Sequence, residues 1–235
     1  MTFLELIVVL GIFGAISATV LFNYGDFSSN VHLQNLAQDI ALQIKKTQTD
    51  AISGRIPTLS DTQNQNIDNL VPLDWVPSYG LAFTTTQSDK LPTSPVNQNG
   101  RAFVYYFNSY ADNDSGLPLI IFQDFFDFEG SSYQGCGSSA DSECLEEINI
   151  TSGDVIDEIC FNFVSIDSGE DCTANGGEPG DHAYISFTRP RGNANIMLAD
   201  TAPEDREANV YLRLTSRQGG HKYITVWQSG YISTR

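Results

Sequence analysis

Four cysteines fall within residues 136–172 and are the side chains best placed to form covalent bonds: Cys136, Cys144, Cys160 and Cys172. They form no CxxC pair, and the three histidines lack zinc-finger spacing, so a zinc site is not expected. An even number of cysteines in a region rich in Ser, Gly and Asp is typical of disulfides in an exported protein. Three connectivities are possible. We favour Cys136–Cys144 and Cys160–Cys172, because each pair closes a short polar loop that contains glycine; buried free thiols are the alternative.

A second set of side chains that could do chemistry is acidic. The segment DNDSG at residues 112–116 resembles a shortened calcium-binding loop, with oxygen ligands on Asp112, Asn113 and Asp114. An EF-hand loop has its glycine sixth, whereas Gly116 comes fifth and no glutamate follows at the required distance. The acidic segment at residues 124–130 would be needed to complete a composite site. We therefore expect an ordinary turn and no cofactor, with calcium at Asp112 and Asp114 as the alternative.

Motifs for catalysis are absent from the sequence. It contains no GxSxG, HExxH, phosphate-binding loop or GxGxxG, and its three histidines are spread from His32 to His221. We therefore expect a protein that is not an enzyme.

The charge balance argues against nucleic acid as a partner. The chain has 12 Lys and Arg against 29 Asp and Glu, a formal net charge of −17, whereas polyanion binding rests on basic groups that displace counterions. The basic residues after position 188 are scattered: Arg189, Arg191, Arg206, Arg213, Arg217, Lys222 and Arg235. We interpret them as residues of solvated strand faces.

The first element of the chain is an apolar run at residues 1–22, MTFLELIVVLGIFGAISATVLF. As a helix it would be about 33 Å long and apolar on every side, enough to cross a bilayer core. It contains one carboxylate, Glu5, which would cost about 2.5–3.5 kcal/mol deep in hydrocarbon. Glu5 is tolerated near the interface, protonated or paired; a simpler role is to complement the helix dipole in the first turn. No Lys or Arg precedes Lys45, so a signal peptide is not expected.

A second helical segment follows a polar interruption, NYGDFSSN, at residues 23–30. The interruption is a break, a kink or a weakened turn. Beyond it, apolar residues recur every three or four positions: Leu33, Leu36, Ala37, Ile40, Ala41, Ile44, Ala51 and Ile52. Gly54 is a suitable stop. The pattern predicts a helical domain over 1–54, apolar all round in 1–22 and amphipathic in 23–54.

The rest of the chain, 55–235, is predicted to form a β-rich head. Short β-type runs are separated by turn residues: GLAFTTT, RAFVYYFNSY, LPLIIF, EEINIT, VIDEICFNFVSI, HAYISFTRP, ANIMLA, NVYLRLTS and HKYITVWQ. Between the last two, RQGGHK predicts a hairpin turn in which Gly219 and Gly220 are able to take positive φ. We expect an α+β fold with one sheet face packed on the apolar stripe of residues 33–52.

These features resemble a known family. MTFLELIVVLGIFGAI is similar to the processed N-terminus of bacterial type IV pilins and pseudopilins, with glutamate at mature position five. LAQDIALQIKKTQTDAISG resembles the helix of the GspH/FimT-like minor pilin branch, and KYITVWQSGYIST resembles the closing strands of that branch. The resemblance implies the type IV pilin fold, in which a long N-terminal helix packs on an antiparallel β-rich head.

The resemblance also assigns roles to residues of the helix. It implies that prepilin peptidase removes a basic leader, so that Met1 is the mature N-terminal residue and is N-methylated. Glu5 would then pair with the Met1 ammonium of its own or a neighbouring subunit. The filament core would be formed by apolar side chains of the first half: Phe3, Leu4, Leu6, Ile7, Val8, Val9, Leu10, Ile12 and Phe13.

The function that the resemblance implies is structural. The chain would reside in the cytoplasmic membrane and bind an inner-membrane assembly platform. It would then polymerise with identical subunits into a surface filament for adhesion, motility or uptake. The alternative is a low-abundance tip or minor pilin that acts as an adhesin or a DNA-binding module.

Overall fold

The computed structural model describes residues 2–55, 78–85, 100–108, 144–163, 172–188, 192–198 and 207–235. The first element is a single α-helix, α1, over Phe3–Ser53. At about 1.5 Å per residue it is about 77 Å long. It runs without interruption through residues 23–30, so a break there is ruled out. Gly54 ends the helix as predicted, with a left-handed φ of 63° and its N–H donated to the carbonyl of Ala51.

The described part of the head consists of short strands and one 3-10 helix, Cys172–Asn175. The strands are β1 (Ser78–Thr84), β2 (Ala102–Asn108), β3 (Cys144–Asn149), β4 (Val155–Phe161), β5 (Glu178–Gly180), β6 (His182–Thr188), β7 (Ala194–Leu198), β8 (Asn209–Thr215), β9 (His221–Trp227) and β10 (Ile232–Thr234). They form two five-stranded sheets, sheet A in the order β3-β2-β1-β6-β7 and sheet B in the order β10-β9-β8-β4-β5. Every pairing described is antiparallel.

This architecture confirms the α+β class and the antiparallel head. Eight of the nine predicted runs contain a strand; the run LPLIIF lies outside the described residues. The hairpin between β8 and β9 is also present, but only Gly219 takes positive φ, at +83°. Gly220 instead donates its N–H to the hydroxyl of Ser216. The three-residue strands β5 and β10 were not among the predicted runs, although β10 lies in the stretch that resembles the closing strands of the pilin branch.

One hydrophobic core joins the helix to both sheets. Its helical members are Leu33, Ala37, Ile40, Ile44 and Ala51, all buried. Sheet A contributes side chains such as Leu81, Phe83, Phe103, Ile185 and Ile196, and sheet B contributes Ile156, Ile159, Val210, Leu212, Ile224 and Val226. The helix therefore packs on the head through this stripe as predicted, and it contacts both sheets rather than one. Ile52, which was predicted to belong to the stripe, is instead 45% exposed.

Candidate functional site: the free half of the helix and its joint to the head

The first half of α1 projects from the head with its apolar side chains in the open. Ten large apolar side chains here are between 50% and 79% exposed: Phe3, Leu4, Leu6, Ile7, Val8, Val9, Leu10, Ile12, Phe13 and Ile16. Nothing outside the helix backbone lies within 4 Å of where a Cβ would stand on Gly11 or Gly14. Contiguous apolar exposure of this kind marks an interaction surface. We call residues 3–19 the free half.

Burial of the free half would be strongly favourable. Each large aliphatic or aromatic side chain gains about 1.5–3 kcal/mol on full burial, so ten half-exposed ones gain on the order of 10 kcal/mol before the costs of association. The side chains that the structure describes stop at Thr19 and resume at Tyr24. Within these described residues, no helix is long and apolar enough to cross a membrane.

Glu5 forms a capping box at the start of the free half. Its Oε2 accepts a hydrogen bond from the backbone N–H of Thr2 at 2.7 Å, and its own N–H is donated to Thr2 Oγ1 at 3.4 Å. The carboxylate therefore lies at the positive end of the helix dipole, which is the simpler role weighed from the sequence. Met1 lies outside the described residues, so its pairing with Glu5 stays a prediction.

The turn between β8 and β9 lies against the middle of the helix. A Cβ on Gly220 would lie 3.0 Å from Asn30 Oδ1 and 3.9 Å from a methyl of Leu33, and a Cβ on Gly25 would lie 3.3 Å from Gln218 Nε2. The absence of side chains at Gly25 and Gly220 lets the turn approach the helix closely. This turn therefore contacts the helix at residues 25–33, beyond the free half.

Further along, Gln48 links the helix to both sheets. Its buried amide donates to the carbonyl of Gly192, next to β7 of sheet A, at 2.8 Å. It also donates to the carbonyl of Gly230, in the turn between β9 and β10 of sheet B, at 3.4 Å. Gly230 has a φ of +80°, and a Cβ there would lie 2.6 Å from the carbonyl oxygen of Gly192, so this position favours glycine. This contact was not predicted from the sequence; its one local signal is that the polar Gln48 lies four residues after the buried Ile44, on the same side of the helix.

The end of the helix is held by a group of polar side chains. Asp50 accepts a hydrogen bond from Tyr105 at 2.8 Å and pairs with Arg55 at 3.5 Å. Tyr79 donates its hydroxyl to the backbone carbonyl of Arg55. Burial, followed by the charge of Asp50, raises the pKa of Tyr79 to about 12, and burial and the hydrogen bond to Asp50 raise the pKa of Tyr105. Both tyrosines therefore remain hydrogen-bond donors at neutral pH.

The cysteines divide into a confirmed pair and an untested one. Cys160 on β4 and Cys172 in the 3-10 helix form the predicted disulfide, with their Cα atoms 5.6 Å apart. Both are buried beside Tyr211 and Tyr223. Cys136 lies outside the described residues, as does the side chain of Cys144, so the second pair stays a prediction.

The remaining candidates are the acidic and basic side chains singled out from the sequence. Within those ranges, no group of three or more His, Cys, Asp or Glu is placed to hold a metal ion. The calcium candidates Asp112 and Asp114 lie outside them. Arg213, one of the scattered basic residues, contacts Asp157 and Glu158 of its own sheet, each at 2.9 Å. Its charge is therefore already balanced within the chain.

Comparison with known proteins adds no assignment. No family model matches the chain, and no curated protein and no solved structure shows significant similarity to it.

Proposed function

We propose that this chain is a structural subunit of a type IV pilus or related pseudopilus, and that it polymerises through the free half of α1. The observation that carries the proposal is the exposure of ten apolar side chains, on all sides of one helical segment, that their own head leaves uncovered. The N-terminal sequence motif supports the same proposal, as does the long helix packed on an antiparallel head.

The same apolar surface serves the subunit before and after assembly. In the cytoplasmic membrane the first helical segment contacts lipid; in the filament it contacts the same segment of other subunits. Apolar side chains make similar dispersion contacts in both environments, so the exchange needs no refolding of the head. The head packs only on the second half of the helix, so the first half is free to leave the lipid. This arrangement is consistent with transfer of the subunit from the membrane into an extracellular filament by an inner-membrane platform.

Glu5 supplies the register of assembly in this proposal. A carboxylate within an apolar interface is tolerated only when a positive group is close and correctly placed. The N-terminal ammonium left by prepilin peptidase, on the same or the next subunit, is that group. A neighbour docked at the wrong axial step would leave both charges unpaired. The capping box keeps the Glu5 carboxylate oriented toward the helix N-terminus, which is the orientation that pairing with such an ammonium would require.

The proposal is tested by removing apolar surface from the free half in cells that naturally produce the chain. In a Leu6→Gln/Leu10→Gln variant, both positions keep residues that favour a helix. We expect the variant to be absent from filaments sheared from the cell surface, as measured by mass spectrometry of the sheared and membrane fractions. The wild-type chain is expected in the sheared fraction.

The matched control is His32→Gln, an exposed substitution on the same helix, which is expected to shear like the wild type. Thermal unfolding of the head should be equal in all three proteins, because Leu6 and Leu10 do not belong to the core. A wild-type chain that never enters the sheared fraction, or a double variant that enters it normally, would overturn the proposal.

A further inference from the structure

The two ends of the head lie at different distances from the free half. The turn between β8 and β9, residues 216–220, contacts the helix at residues 25–33, whereas Gly230, in the turn between β9 and β10, contacts Gln48. Since the helix rises about 1.5 Å per residue, these two contacts are roughly 25–30 Å apart along its axis. We call the strand ends and turns on the side of residues 216–220 the proximal end.

The strand registers identify the residues of the proximal end. In sheet B, the pairing of Val155 with Thr215 shows that β4 begins there. A backbone hydrogen bond of 2.8 Å from Ile156 to Gly100 places the start of β2, in sheet A, at the same end. With the partners of these strands, the described part of the proximal end consists of residues 84–85, 100–102, 149–155, 181–182, 215–222 and 234–235.

Basic residues that are far apart in the sequence collect at the proximal end. Within the described ranges, this end has four basic residues, Arg101, Arg217, Lys222 and Arg235, in a chain whose formal net charge is −17. Three of the basic residues that look scattered after position 188 therefore lie together at one end of the head.

Acidic residues are fewer at this end. The described part of it has two, Asp154 and Asp181. Asp154 is buried, and its carboxylate accepts a hydrogen bond of 2.6 Å from the Ser152 hydroxyl. Asp181 is exposed. The surface of the proximal end is therefore more positive than the chain as a whole.

The turn at residues 150–154 lies against two of the arginines. The backbone carbonyl of Arg101 accepts a hydrogen bond of 2.6 Å from the N–H of Ile150. The guanidinium of Arg217 lies across Gly153, where any side chain would clash with it, and Gly153 has a φ of +86°. Both arginines are exposed. The fold therefore holds two guanidinium groups beside one turn.

The basic residues of the proximal end differ from the others in their partners. Each basic residue described elsewhere has a polar or charged partner within the chain, and these residues are Lys45, Lys46, Arg55 and Arg213. By contrast, Arg101, Arg217 and Lys222 form no ion pair with any residue that the structure describes. Positive charge that the chain leaves unbalanced attracts a negatively charged ligand.

The level of the proximal end along the helix identifies that ligand. The apolar run ends at residue 22, and the turn between β8 and β9 contacts Gly25, only about 5 Å further along the axis. The headgroup layer on each side of a bilayer is about 5–7 Å thick. Tyr24 lies at this level and is 66% exposed, and tyrosine is enriched at membrane–water interfaces. With the free half in the membrane, the proximal end faces the lipid headgroups.

We propose that the proximal end binds the phosphate groups of anionic phospholipids through Arg101, Arg217 and Lys222 while the subunit is in the membrane. The inference rests on the proposed function and adds a second membrane contact to that of the free half. Guanidinium groups suit this ligand because they match phosphate with paired hydrogen bonds. The acidic remainder of the head is repelled by the same lipids, so the contact determines which end of the head faces the membrane.

Photo-cross-linking of the full chain, reconstituted in lipid vesicles, tests the contact. The vesicles contain equal parts of phosphatidylcholine and phosphatidylglycerol, and mass spectrometry identifies the lipids joined after illumination. A benzoylphenylalanine probe replaces Thr151, which is exposed at the proximal end, or Gln228, which is exposed in the turn between β9 and β10. We expect phosphatidylglycerol adducts from Thr151 and none from Gln228. A third probe, at Phe13, reports insertion of the free half.

Substitution measures the contribution of the basic groups. Arg217→Gln/Lys222→Gln removes two charges from the proximal end. Lys45→Gln/Lys46→Gln is the matched control, because it removes the same charge about 35 Å beyond the apolar run. One basic group near an anionic surface favours binding about fivefold. We therefore expect the yield of lipid adducts from Thr151 to fall at least fivefold in the first variant and to stay unchanged in the control, with thermal unfolding showing that both variants are folded.

Salt provides a further check on the same probe. An increase from about 0.15 M to about 1 M shortens the screening length from about 8 Å to about 3 Å. We expect the adduct yield from Thr151 to fall and the yield from Phe13, which lies in the free half, to stay unchanged.

The outcomes separate the two proposals. Lipid adducts from Phe13 but none from Thr151 would overturn the headgroup contact alone. An unchanged yield from Arg217→Gln/Lys222→Gln, or an equal yield in vesicles of phosphatidylcholine only, would also overturn it. Duplex DNA added to the vesicles and joined at Thr151 in place of lipid would assign the basic end to nucleic acid instead. Absence of lipid adducts from Phe13 would overturn the proposed function together with this contact.

Discussion

At the scale of single residues, the amide of Gln48 forms hydrogen bonds from the helix to segments next to both sheets. It is buried, and it donates to the carbonyl of Gly192, just before β7, and to that of Gly230, in the turn between β9 and β10. Gln48→Ala would leave these carbonyls without that donor, and an unsatisfied buried polar group costs about 1–3 kcal/mol. We therefore expect the free energy of unfolding to fall by that amount in denaturant titrations. Gln38→Ala, an exposed change on the same helix, should stay within about 0.5 kcal/mol of the wild type.

Glu5 is expected to affect assembly and leave the stability of the head unchanged. Glu5→Ala removes both the capping interaction and the charge, whereas Glu5→Gln keeps an acceptor for the Thr2 N–H and removes only the charge. We expect both variants to insert in the membrane and both to be depleted from sheared filaments. Quantitative mass spectrometry of the two fractions measures this. Normal filament yield from Glu5→Gln would show that the capping geometry, and not the charge, is what assembly requires.

At the scale of elements, the disulfide between Cys160 and Cys172 fixes the 3-10 helix to β4. The two cysteines are 12 residues apart, and closure of a loop of about 15 residues contributes about 3 kcal/mol in the chain-entropy account. We expect Cys160→Ala/Cys172→Ala to lose about 2–4 kcal/mol of unfolding free energy. The measurement is denaturant unfolding without reductant.

A reductant added to that variant reports on the other predicted pair. A further loss of stability would indicate a bond between Cys136 and Cys144, and no further loss would count against one. A double variant as stable as the wild type would contradict the role given to Cys160–Cys172.

The sequence was most informative about elements with a strong internal pattern. The spacing of Leu33, Ala37, Ile40 and Ile44 predicts the buried helix face, and Gly54 predicts its end. The segment 23–30 was harder to interpret. One internal glycine costs only about 1 kcal/mol, and helix formation is cooperative, so flanking segments carry the helix through it. Strand β5, with the sequence Glu-Pro-Gly, has no β-type pattern of its own.

The candidate site also has a part that the sequence predicts and a part that it does not. The free half is evident from composition alone, because its apolar residues cover every side of the helix. The partners of Gln48 are 144 and 182 residues away along the chain, and backbone carbonyls of glycines carry no sequence signal. Long-range contacts of this kind depend on how the two sheets are placed, which local patterns do not encode.

At the scale of the whole molecule, the net charge of −17 opposes the association that we propose for the helix. Screening extends about 30 Å at 0.01 M salt and about 8 Å at 0.15 M, so neighbouring heads repel much less at the higher concentration. We expect isolated filaments to lose subunits on dialysis into low salt and to remain intact at 0.15 M. Sedimentation of filaments after dialysis measures the retained fraction. Greater retention at low salt would indicate that attraction between opposite charges dominates the contacts.

The placement of the helix against both sheets also has a mechanical consequence. The second half of α1 packs on β1 and β6 of one sheet and on β8, β9 and β10 of the other. A tensile force applied along the helix would therefore be shared by the two sheets in parallel. Its core side chains would have to slide past both sheets at once, and both Gln48 hydrogen bonds would be strained in the same step. The head would resist traction as one unit. The lifetime of the folded head under force would be governed by the rate at which the helix separates from both sheets.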